Sequence, residues 1–404
     1  MDTPPPVADA ARERVELADI VREHGAAFCA THRLSGVQRR ALRAIEACRT
    51  ATLGGHVQQC DTCGAVRYTY HSCRNRHCPK CQTLAKERWL SRQRAALLPV
   101  PYYHVVFTLP HTLNALAQGN PRVIYRLLFA AAAETLLAFG RNPRWLGGEL
   151  GATLVLHTWG QALDQHVHVH ALVTGGALAT DGRWLTSRRG FLFPVRALGR
   201  VFRGKYLDAL ARTLRGSELR FAGTCAALHE TNAQRRFLVS LREHDWVVYA
   251  KPPCAGPEQV LEYLGRYTHR VAITNPRLVS CVDGHVRFRW KDYAHGNRRK
   301  VMTLTADEFL RRFLLHVLPS GFMRIRHYGL SANRTKQLKL AQARAALDCP
   351  VVATPCGEPE SVTDFWQRIT GTDLHTCPQC KTGHLHLIGT LAPHPAARAP
   401  PGIP

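Results

Sequence analysis

Three histidines alternate with valines in the stretch His166-Val167-His168-Val169-His170, which continues into Ala171-Leu172-Val173. Alternation with a period of two is typical of a β-strand, and it places the three imidazoles on one face of that strand. Neutral imidazole is a common metal ligand, so this spacing predicts a divalent metal site with open positions for a substrate. A surface strand with incidental histidines is the alternative, and the unbroken alternation favours the metal site.

A pair of tyrosines, Tyr263 and Tyr267, lies in the stretch from Gly256 to Arg270. Pro257 suits the first turn of a helix, so this stretch is predicted to be helical, with the two tyrosines on one face. Packing is the usual reason for such a pair. Because the neighbouring side chains are cationic, we also consider two nucleophilic hydroxyls held beside a phosphate.

Fourteen cysteines occur in the chain, and two Cys-x2-Cys pairs lie fourteen residues apart, at Cys60–Cys63 and Cys78–Cys81. Two such pairs at this separation predict one tetrahedral zinc site made of Cys60, Cys63, Cys78 and Cys81. Further ligand types nearby would suit a second zinc. They are Cys48, His56, Cys73 and His77.

A third Cys-x2-Cys pair, Cys377 and Cys380, lies near the end of the chain. It indicates a further zinc element, although no second pair completes it in that region. Other ligand types available there are Cys349, Cys356, His384 and His386.

The charge balance predicts a polyanionic partner. Lys and Arg number 54 against 29 Asp and Glu, which gives a formal net charge of +25. Nucleic acid is the partner that this excess favours, and a membrane surface is disfavoured because no basic amphipathic helix stands out. Residues 1–25 lack an apolar core, and the apolar run from Leu127 to Gly140 is interrupted by Glu134. We therefore expect no signal peptide, a buried core helix, and metal-bound cysteines in a reducing cytoplasm.

Basic residues cluster between the cysteine pairs, around the tyrosines, and in two stretches further along the chain. Such clusters suit DNA phosphates, and the alternative is a solvated charged face. The net charge favours DNA. The residues expected to contact it are Arg74, Arg76, Arg266, His269, Arg270, Arg298, Arg299, Lys300, Arg324 and Arg326.

The order of periodic segments predicts an α+β chain. Strands are expected at 102–109, at 153–159, through the histidine stretch, and in a hairpin over 284–304. The expected divisions are a disordered segment 1–14, a helical zinc-binding and DNA-binding domain 15–98, a catalytic domain 101–345, a further zinc element within 346–391 and a disordered tail 392–404.

Four motifs in order carry a family resemblance: His-Ser-Cys-Arg-Asn-Arg-His-Cys-Pro-Lys-Cys (71–81), Phe-Thr-Leu-Pro (107–110), the histidine stretch, and Glu-Tyr-Leu-Gly-Arg-Tyr-Thr-His-Arg-Val-Ala-Ile (262–273). From about residue 45 to 340 the chain resembles the two-tyrosine HUH transposases of the insertion sequence 91 family. One departure is Val167, where the family is expected to carry proline, and valine suits a strand and keeps the histidine alternation.

The resemblance implies an antiparallel-sheet HUH nuclease domain with a ferredoxin-like or RRM-like core, preceded by a small zinc-binding domain. It makes His168 and His170 the paired ligands of a catalytic Mg2+ or Mn2+ and makes Tyr263 and Tyr267 the nucleophiles. The third ligand is open among His166, Gln165 and a residue elsewhere, and strand alternation favours His166.

The implied reaction is attack of a tyrosine hydroxyl on a phosphodiester of single-stranded DNA, at transposon ends and at the target. It gives a 5′-phosphotyrosine and a free 3′-OH. Rejoining would need no ATP, which fits the lack of a Gly-x-x-x-x-Gly-Lys motif. Zinc would be structural, and the protein is expected in the bacterial cytoplasm, associated with the nucleoid.

Two other functions would explain parts of the same pattern. A plasmid replication initiator or conjugative relaxase would use the same chemistry, but no helicase segment follows the nuclease. A zinc-containing DNA-binding regulator without catalysis would explain the charge and the cysteines, but it leaves the histidine strand and the tyrosine pair without a role.

Overall fold

The computed structural model describes residues 15–187, 190, 192–251, 261, 265, 272–293, 295–349, 361–371 and 373–394. The predicted disordered segment 1–14 and residues 395–404 of the predicted tail lie outside these ranges. Residues 392–394 of that tail are described, and the His394 amide donates a hydrogen bond to the Ala51 carbonyl at 3.1 Å.

The described α-helices are α1 (Leu17–Thr31), α2 (Gly36–Glu46), α3 (Gln82–Arg94), α4 (Asn114–Gly119), α5 (Pro121–Arg141), α6 (Val195–Leu214), α7 (Thr231–Glu243), α8 (Ala306–Leu315), α9 (Lys336–Ala345) and α10 (Val362–Thr370). The described strands are β1 (Gly55–Cys60), β2 (Val66–Tyr70), β3 (Tyr102–Thr108), β4 (Gly151–Trp159), β5 (Gln165–Thr174), β6 (Gly176–Leu178), β7 (Trp184–Thr186), β8 (Val248–Lys251), β9 (Leu278–Val282), β10 (His285–Asp292), β11 (Arg298–Thr305), β12 (Ile325–Gly329) and β13 (Leu385–Leu391).

The chain divides into two compact units, and the division differs from the predicted one. The cysteine unit contains the described residues of 15–84, 273–317 and 361–394, and the histidine unit contains those of 85–272 and 318–349. The C-terminal segment and the 273–317 segment thus belong with the N-terminal residues. Sequence order did not reveal this arrangement because strand pairing joins segments that are more than 300 residues apart.

The histidine unit is built on a five-stranded sheet in the order β12-β4-β5-β3-β8, and every neighbouring pair in it is antiparallel. Helices α5 and α6 pack on one face. Val167 and Val169 of β5 point into a core that also contains Phe129 and Phe202. The period of two in β5 therefore turns His168 and His170 to the opposite face. The predicted α+β class with an antiparallel sheet is confirmed.

Helix α5 is long and apolar enough to cross a membrane by length and composition alone. However, 67% of its most apolar window is buried inside the structure. Its Ile124, Leu128 and Leu136 belong to the core beneath the sheet, which agrees with the predicted core helix.

The cysteine unit contains two three-stranded antiparallel sheets, in the orders β13-β1-β2 and β11-β10-β9. The hairpin predicted over 284–304 is confirmed as β10 and β11. Helix α2 begins with a capping box in which the Ser35 side chain accepts from the Gln38 amide. The Gln38 side chain also donates to the Leu314 carbonyl of α8 at 3.0 Å. This hydrogen bond links α2 to α8.

Candidate metal centres

The histidine cluster consists of His157, His168 and His170, whose ligand nitrogens all lie within 4.8 Å of one another. The register of β4 and β5 explains this convergence, because His157 is directly opposite His168. Side chains directly opposite in an antiparallel pair share a face and lie close together. His170 is on the same face, two residues further along β5.

The spacing of the cluster fits a divalent metal. His168 Nε2 lies 3.0 Å from His170 Nε2. Metal–nitrogen bonds of about 2.0–2.1 Å place two adjacent ligands of an octahedral ion roughly 3.0 Å apart. The two imidazoles are therefore already at the separation that a shared ion requires.

Hydrogen bonds at the far nitrogens orient two of these rings. His168 Nδ1 lies 2.8 Å from the His166 carbonyl oxygen, so it carries the proton and donates it there. His170 Nδ1 lies 2.8 Å from Nε2 of His104, a buried residue of β3. Such partners fix the tautomer and the ring orientation of metal-binding histidines. Each Nε2 is thereby left to face the centre of the cluster.

Two of the cluster histidines, His168 and His170, are held neutral, which is the form that binds metals. Burial, followed by the charge of His166, lowers the pKa of His168 to about 3. Burial also lowers the pKa of His170 well below its ordinary value. Burial and then Lys251 lower the pKa of His104 to about 4. At neutral pH these imidazoles have lone pairs available.

His166, which alternation favoured as the third ligand, is not in this cluster. It is half-buried, and its ring centroid is 5.3 Å from that of His111. In a strand, residues four apart are separated by about 13 Å, whereas directly opposite residues have Cβ atoms about 5 Å apart. His157 therefore occupies the position expected for His166. Counting the antiparallel pairing outward from the turn at 160–164 would have placed His157 near His168.

The first cysteine cluster consists of Cys48, Cys73, Cys78 and Cys81. Its sulfur–sulfur distances include 3.5 Å from Cys48 to Cys81, 3.6 Å from Cys73 to Cys81 and 3.6 Å from Cys78 to Cys48. Zinc–sulfur bonds of about 2.3 Å in a tetrahedron give an edge of roughly 3.8 Å. All four ligands come from residues 48–81, and the set matches a closed zinc site with four thiolate ligands.

The second cysteine cluster consists of Cys60, Cys63, Cys377 and Cys380. The predicted joining of Cys60–Cys63 to Cys78–Cys81 is thus corrected, because each pair completes a different cluster. Strand β1, which ends at Cys60, pairs with the C-terminal strand β13. Cys60 and Cys63 therefore lie beside Cys377 and Cys380, and not beside Cys78 and Cys81. Hydrogen bonds from the Thr382 side chain and from nearby backbone amides lower the pKa of Cys380 to about 6.

The other predicted zinc ligands lie outside both clusters. The ring of His56 meets that of His71 edge-on at 4.7 Å, and His77 Nδ1 lies 3.1 Å from Asn75 Oδ1. His56 therefore packs against another ring, and His77 contacts a residue of its own turn. His386 Nε2 lies 3.2 Å from Asp61 Oδ2. His384 and Cys349 are in neither cluster, and Cys356 is outside the described residues.

The predicted nucleophiles Tyr263 and Tyr267 lie outside the described residues, as do Arg266, His269 and Arg270. Leu261 and Gly265, which are described, are helical. Leu261 is buried in a cluster with Leu90, and a Cβ added to Gly265 would lie 2.6 Å from the Leu90 side chain. A side chain at this position would therefore require Leu90 to move.

The remaining predicted DNA contacts have differing surroundings. Arg74, Arg298 and Arg299 are exposed. Arg76 is half-buried, and burial lowers its pKa. Lys300 Nζ lies 2.7 Å from the buried carboxylate of Asp292. Arg324 and Arg326 are half-buried, and the Arg326 guanidinium lies 4.3 Å from the ring centre of Phe129. Arg326 and Lys300 thus have structural partners.

Two family models match the chain. One, described as "Putative transposase", matches residues 151–339, which include the whole histidine cluster. The other, described as "Transposase zinc-binding domain", matches residues 20–109, which include the whole first cysteine cluster. Cys377 and Cys380 lie outside both matches.

Two relatives align over most of the chain. The "Putative transposase y4qJ" of Sinorhizobium fredii is 53% identical over 381 residues, which cover 94% of this chain and 96% of the relative. The transposase for insertion sequence element IS801 of Pseudomonas savastanoi pv. phaseolicola is 30% identical, over 78% of this chain and 74% of the relative. Among solved structures, a conjugative relaxase TrwC bound to OriT DNA matches 41% of this chain and 68% of its own, at 16% identity and a TM-score of 0.22. A TM-score this low does not establish a common fold.

Proposed function

Because the chain belongs to the insertion sequence 91 family of transposases, we propose that it nicks and rejoins single-stranded DNA through a covalent 5′-phosphotyrosine. The reaction would move an insertion sequence in a rolling-circle-like manner. The convergence of His157, His168 and His170 within the matched transposase segment carries this proposal. Three converging imidazoles, of which His168 and His170 are neutral with oriented rings, form a site for a divalent ion at which a phosphate can be bound.

His157, His168 and His170 would hold Mg2+ or Mn2+. Of the two ions, Mn2+ accepts nitrogen ligands more readily, because Mg2+ prefers oxygen ligands in a strict octahedron. When bound, such an ion supplies Lewis acidity to a non-bridging oxygen of the scissile phosphate. His104 and the His166 carbonyl keep the ligand rings in position.

Tyr263 or Tyr267 would supply the attacking oxygen. The tyrosine hydroxyl loses its proton as the oxygen–phosphorus bond forms, the bond from phosphorus to O3′ breaks, and the 3′ oxygen takes up a proton to leave as a hydroxyl, so that no proton is gained or lost overall. The bond energy stays in the phosphotyrosine, so a second 3′-OH can reverse the step without ATP. The helical conformation of Leu261 and Gly265 supports the predicted helix in this segment, and a spacing of four residues is one helical turn.

Single-stranded DNA is the substrate that the charge supports. The formal net charge of +25 favours a polyanion. Arg298 and Arg299 are exposed at the start of β11, and Arg74 is exposed beside the first cysteine cluster. Zinc in the first cysteine cluster would shape that surface, since metal binding and folding are coupled in small zinc sites of this kind.

An oligonucleotide assay tests the proposal. Full-length protein is incubated with Mn2+ or Mg2+ and single-stranded oligonucleotides that carry the sequences flanking its own gene. We expect a covalent protein–DNA adduct that disappears in EDTA and in His168→Ala. The exposed His244 provides a matched control, since His244→Ala removes a histidine from the same unit far along the sequence from the cluster. Full adduct formation in EDTA, or none with any flanking sequence, would overturn the proposal.

A further inference from the structure

We propose that Cys60, Cys63, Cys377 and Cys380 bind a second structural zinc ion that fastens the C-terminal segment of the chain to its N-terminal hairpin. Half of this ligand set lies beyond residues 20–109, which match the zinc-binding family model. The resulting element is a zinc ribbon whose two cysteine pairs are separated by more than 300 residues of sequence.

The sulfur geometry fits one tetrahedral ion. Cys60 Sγ lies 3.7 Å from Cys380 Sγ, and Cys63 Sγ lies 3.8 Å from Cys377 Sγ. A tetrahedral zinc site with four thiolate ligands, at bond lengths of about 2.3 Å, has edges of roughly 3.8 Å. All four cysteines are free thiols. The four sulfurs therefore stand at the separations that a shared zinc requires.

Backbone pairing also brings the two cysteine pairs together. Strand β1 pairs with its hairpin partner β2 on one side and with β13 on the other, and Cys60 lies opposite Leu385. The Asp61 amide donates to the His384 carbonyl at 3.0 Å. The His384 amide donates back to Asp61 Oδ1 at 2.8 Å. The cluster is thus a product of specific strand register.

The two cysteine pairs also share a local backbone conformation. The residue after the second cysteine has a positive φ in each pair, 69° at Gly64 and 63° at Lys381. For lysine this conformation is unfavourable, because the left-handed region crowds its Cβ. The Gly383 amide donates to Cys380 Sγ at 3.3 Å. Both pairs thus form tight turns that direct two sulfurs to one side.

Gly383 shows how closely the two turns approach each other. A Cβ at this position would lie 2.5 Å from Cys60 Sγ and 2.6 Å from Thr62 Oγ1. Any side chain at this position would force the opposing Cys60–Cys63 turn to shift. The C-terminal turn is therefore shaped to receive the N-terminal one.

The ribbon has too little apolar core to stabilise itself. Its core cluster contains buried Cys60, Cys377 and Leu385, with Ala65 and Cys380 partly buried against them. Most residues of β2 and β13 are exposed. Small elements with so little buried apolar surface depend on additional stabilisation, such as a bound metal ion. Two of the four thiols are nearly inaccessible, with Cys60 3% and Cys377 1% exposed.

Zinc counting in full-length protein tests the site. The protein is loaded with ZnCl2, dialysed and measured by elemental mass spectrometry in a His168→Ala, His170→Ala, Cys281→Ser background. These changes disrupt the histidine cluster and the group of Glu23, His24 and Cys281, whose ligand atoms also lie close together, and leave the two cysteine clusters to be counted. We expect two zinc ions per chain. The double variant Cys60→Ser, Cys63→Ser and the double variant Cys377→Ser, Cys380→Ser should each retain one zinc. Cys29→Ser, which alters an exposed cysteine of the same unit, should retain two.

Combining the two double variants distinguishes a shared site from separate ones. The quadruple variant should still retain one zinc, because both pairs serve the same ion. Cys380→His should keep two zinc ions, since histidine replaces a thiolate as a zinc ligand. A quadruple variant that loses both ions, or Cys377→Ser, Cys380→Ser protein that keeps both, would overturn the proposal.

Thiol alkylation provides a readout that does not rely on metal content. In Cys377→Ser, Cys380→Ser protein, N-ethylmaleimide should modify Cys60 and Cys63, while Cys73 and Cys81 stay protected by the first cluster. Continued protection of Cys60 and Cys63 would contradict the proposal. So would a disulfide between the two pairs in protein that has not been reduced.

Discussion

His157 of β4 lies directly opposite His168 of β5, with the two ring centroids 5.3 Å apart. This cross-strand pair, joined by His170, makes the β4–β5 hairpin the scaffold of the histidine cluster. The ring of Trp159 stacks on His157 at 4.7 Å. The hairpin therefore sets both the position and the orientation of the third candidate ligand.

Replacement of His157 should remove metal-dependent nicking. We expect His157→Ala, like His168→Ala, to lower the rate of adduct formation at least about 100-fold, because losing a ligand weakens the binding of an ion that contributes several kcal/mol to the reaction. His166→Ala should retain much more activity, since His166 is outside the cluster. Equal losses in His157→Ala and His166→Ala would contradict this assignment.

His104 should act through His170, as a positioning residue. Its Nε2 lies 2.8 Å from His170 Nδ1. His104→Phe should weaken Mn2+ binding about 10- to 100-fold, the usual effect of losing such a partner. Titration calorimetry with Mn2+ measures this loss, and saturating Mn2+ should restore most of the nicking rate. Unchanged Mn2+ affinity would show that His104 does not orient the ligand.

Stability of the histidine unit should fall in mild acid, partly through His327. Burial, followed by the nearby charge of Lys336, lowers the pKa of His327 to about 4. The unfolded chain, with a histidine pKa of about 6.5, then binds a proton that the folded chain does not, so stability falls as the pH drops from 6.5 towards 4.

A His327→Gln variant isolates this contribution. Glutamine can still bond the Thr153 hydroxyl, which lies 2.9 Å from His327 Nδ1, but it cannot titrate. Urea unfolding at pH 7 and pH 5 should show a loss of stability that is smaller in the variant by up to about 2 kcal/mol. An identical loss in both proteins would mean that His327 does not remain neutral in the folded chain.

Zinc in the first cysteine cluster should be structural and separate from catalysis. Cys78→Ser should lose one zinc and, with it, solubility or DNA binding, because folding of this segment is coupled to its metal. Elemental mass spectrometry and fluorescence anisotropy with a single-stranded oligonucleotide measure the two losses. A zinc-free protein that stays folded and active would refute the assignment.

The local sequence pattern was sufficient to predict most helices and strands and part of the metal site. The alternation of His168 and His170 with apolar residues predicted both the strand and the shared face, because these properties depend on neighbours along the chain. Position 157 was missed because it depends on strand register. The partner of Cys60 was missed for the same reason, since the β1–β13 pairing joins residues that sequence spacing does not relate.

The division of the chain into units also could not be predicted from the local sequence pattern. The hairpin β10–β11 was predicted at nearly its observed bounds, but its membership of the cysteine unit was not. The contact of Arg326 with DNA, expected from its charge, stays a prediction, and the structure adds that its guanidinium packs over Phe129 and Phe322. Charge alone does not distinguish a cation that stacks on aromatic rings from one that faces solvent.

The chain should become covalently joined to DNA through Tyr263 or Tyr267, and peptide mapping of the trapped adduct tests this attachment most directly. Full-length protein is reacted with a flanking-sequence oligonucleotide and Mn2+, then digested and sequenced by mass spectrometry. We expect the nucleotide on Tyr263 or Tyr267 and no adduct from the double variant Tyr263→Phe, Tyr267→Phe, which loses only two hydroxyls. DNA attached to any other residue, or an undiminished adduct in the double variant, would contradict the account.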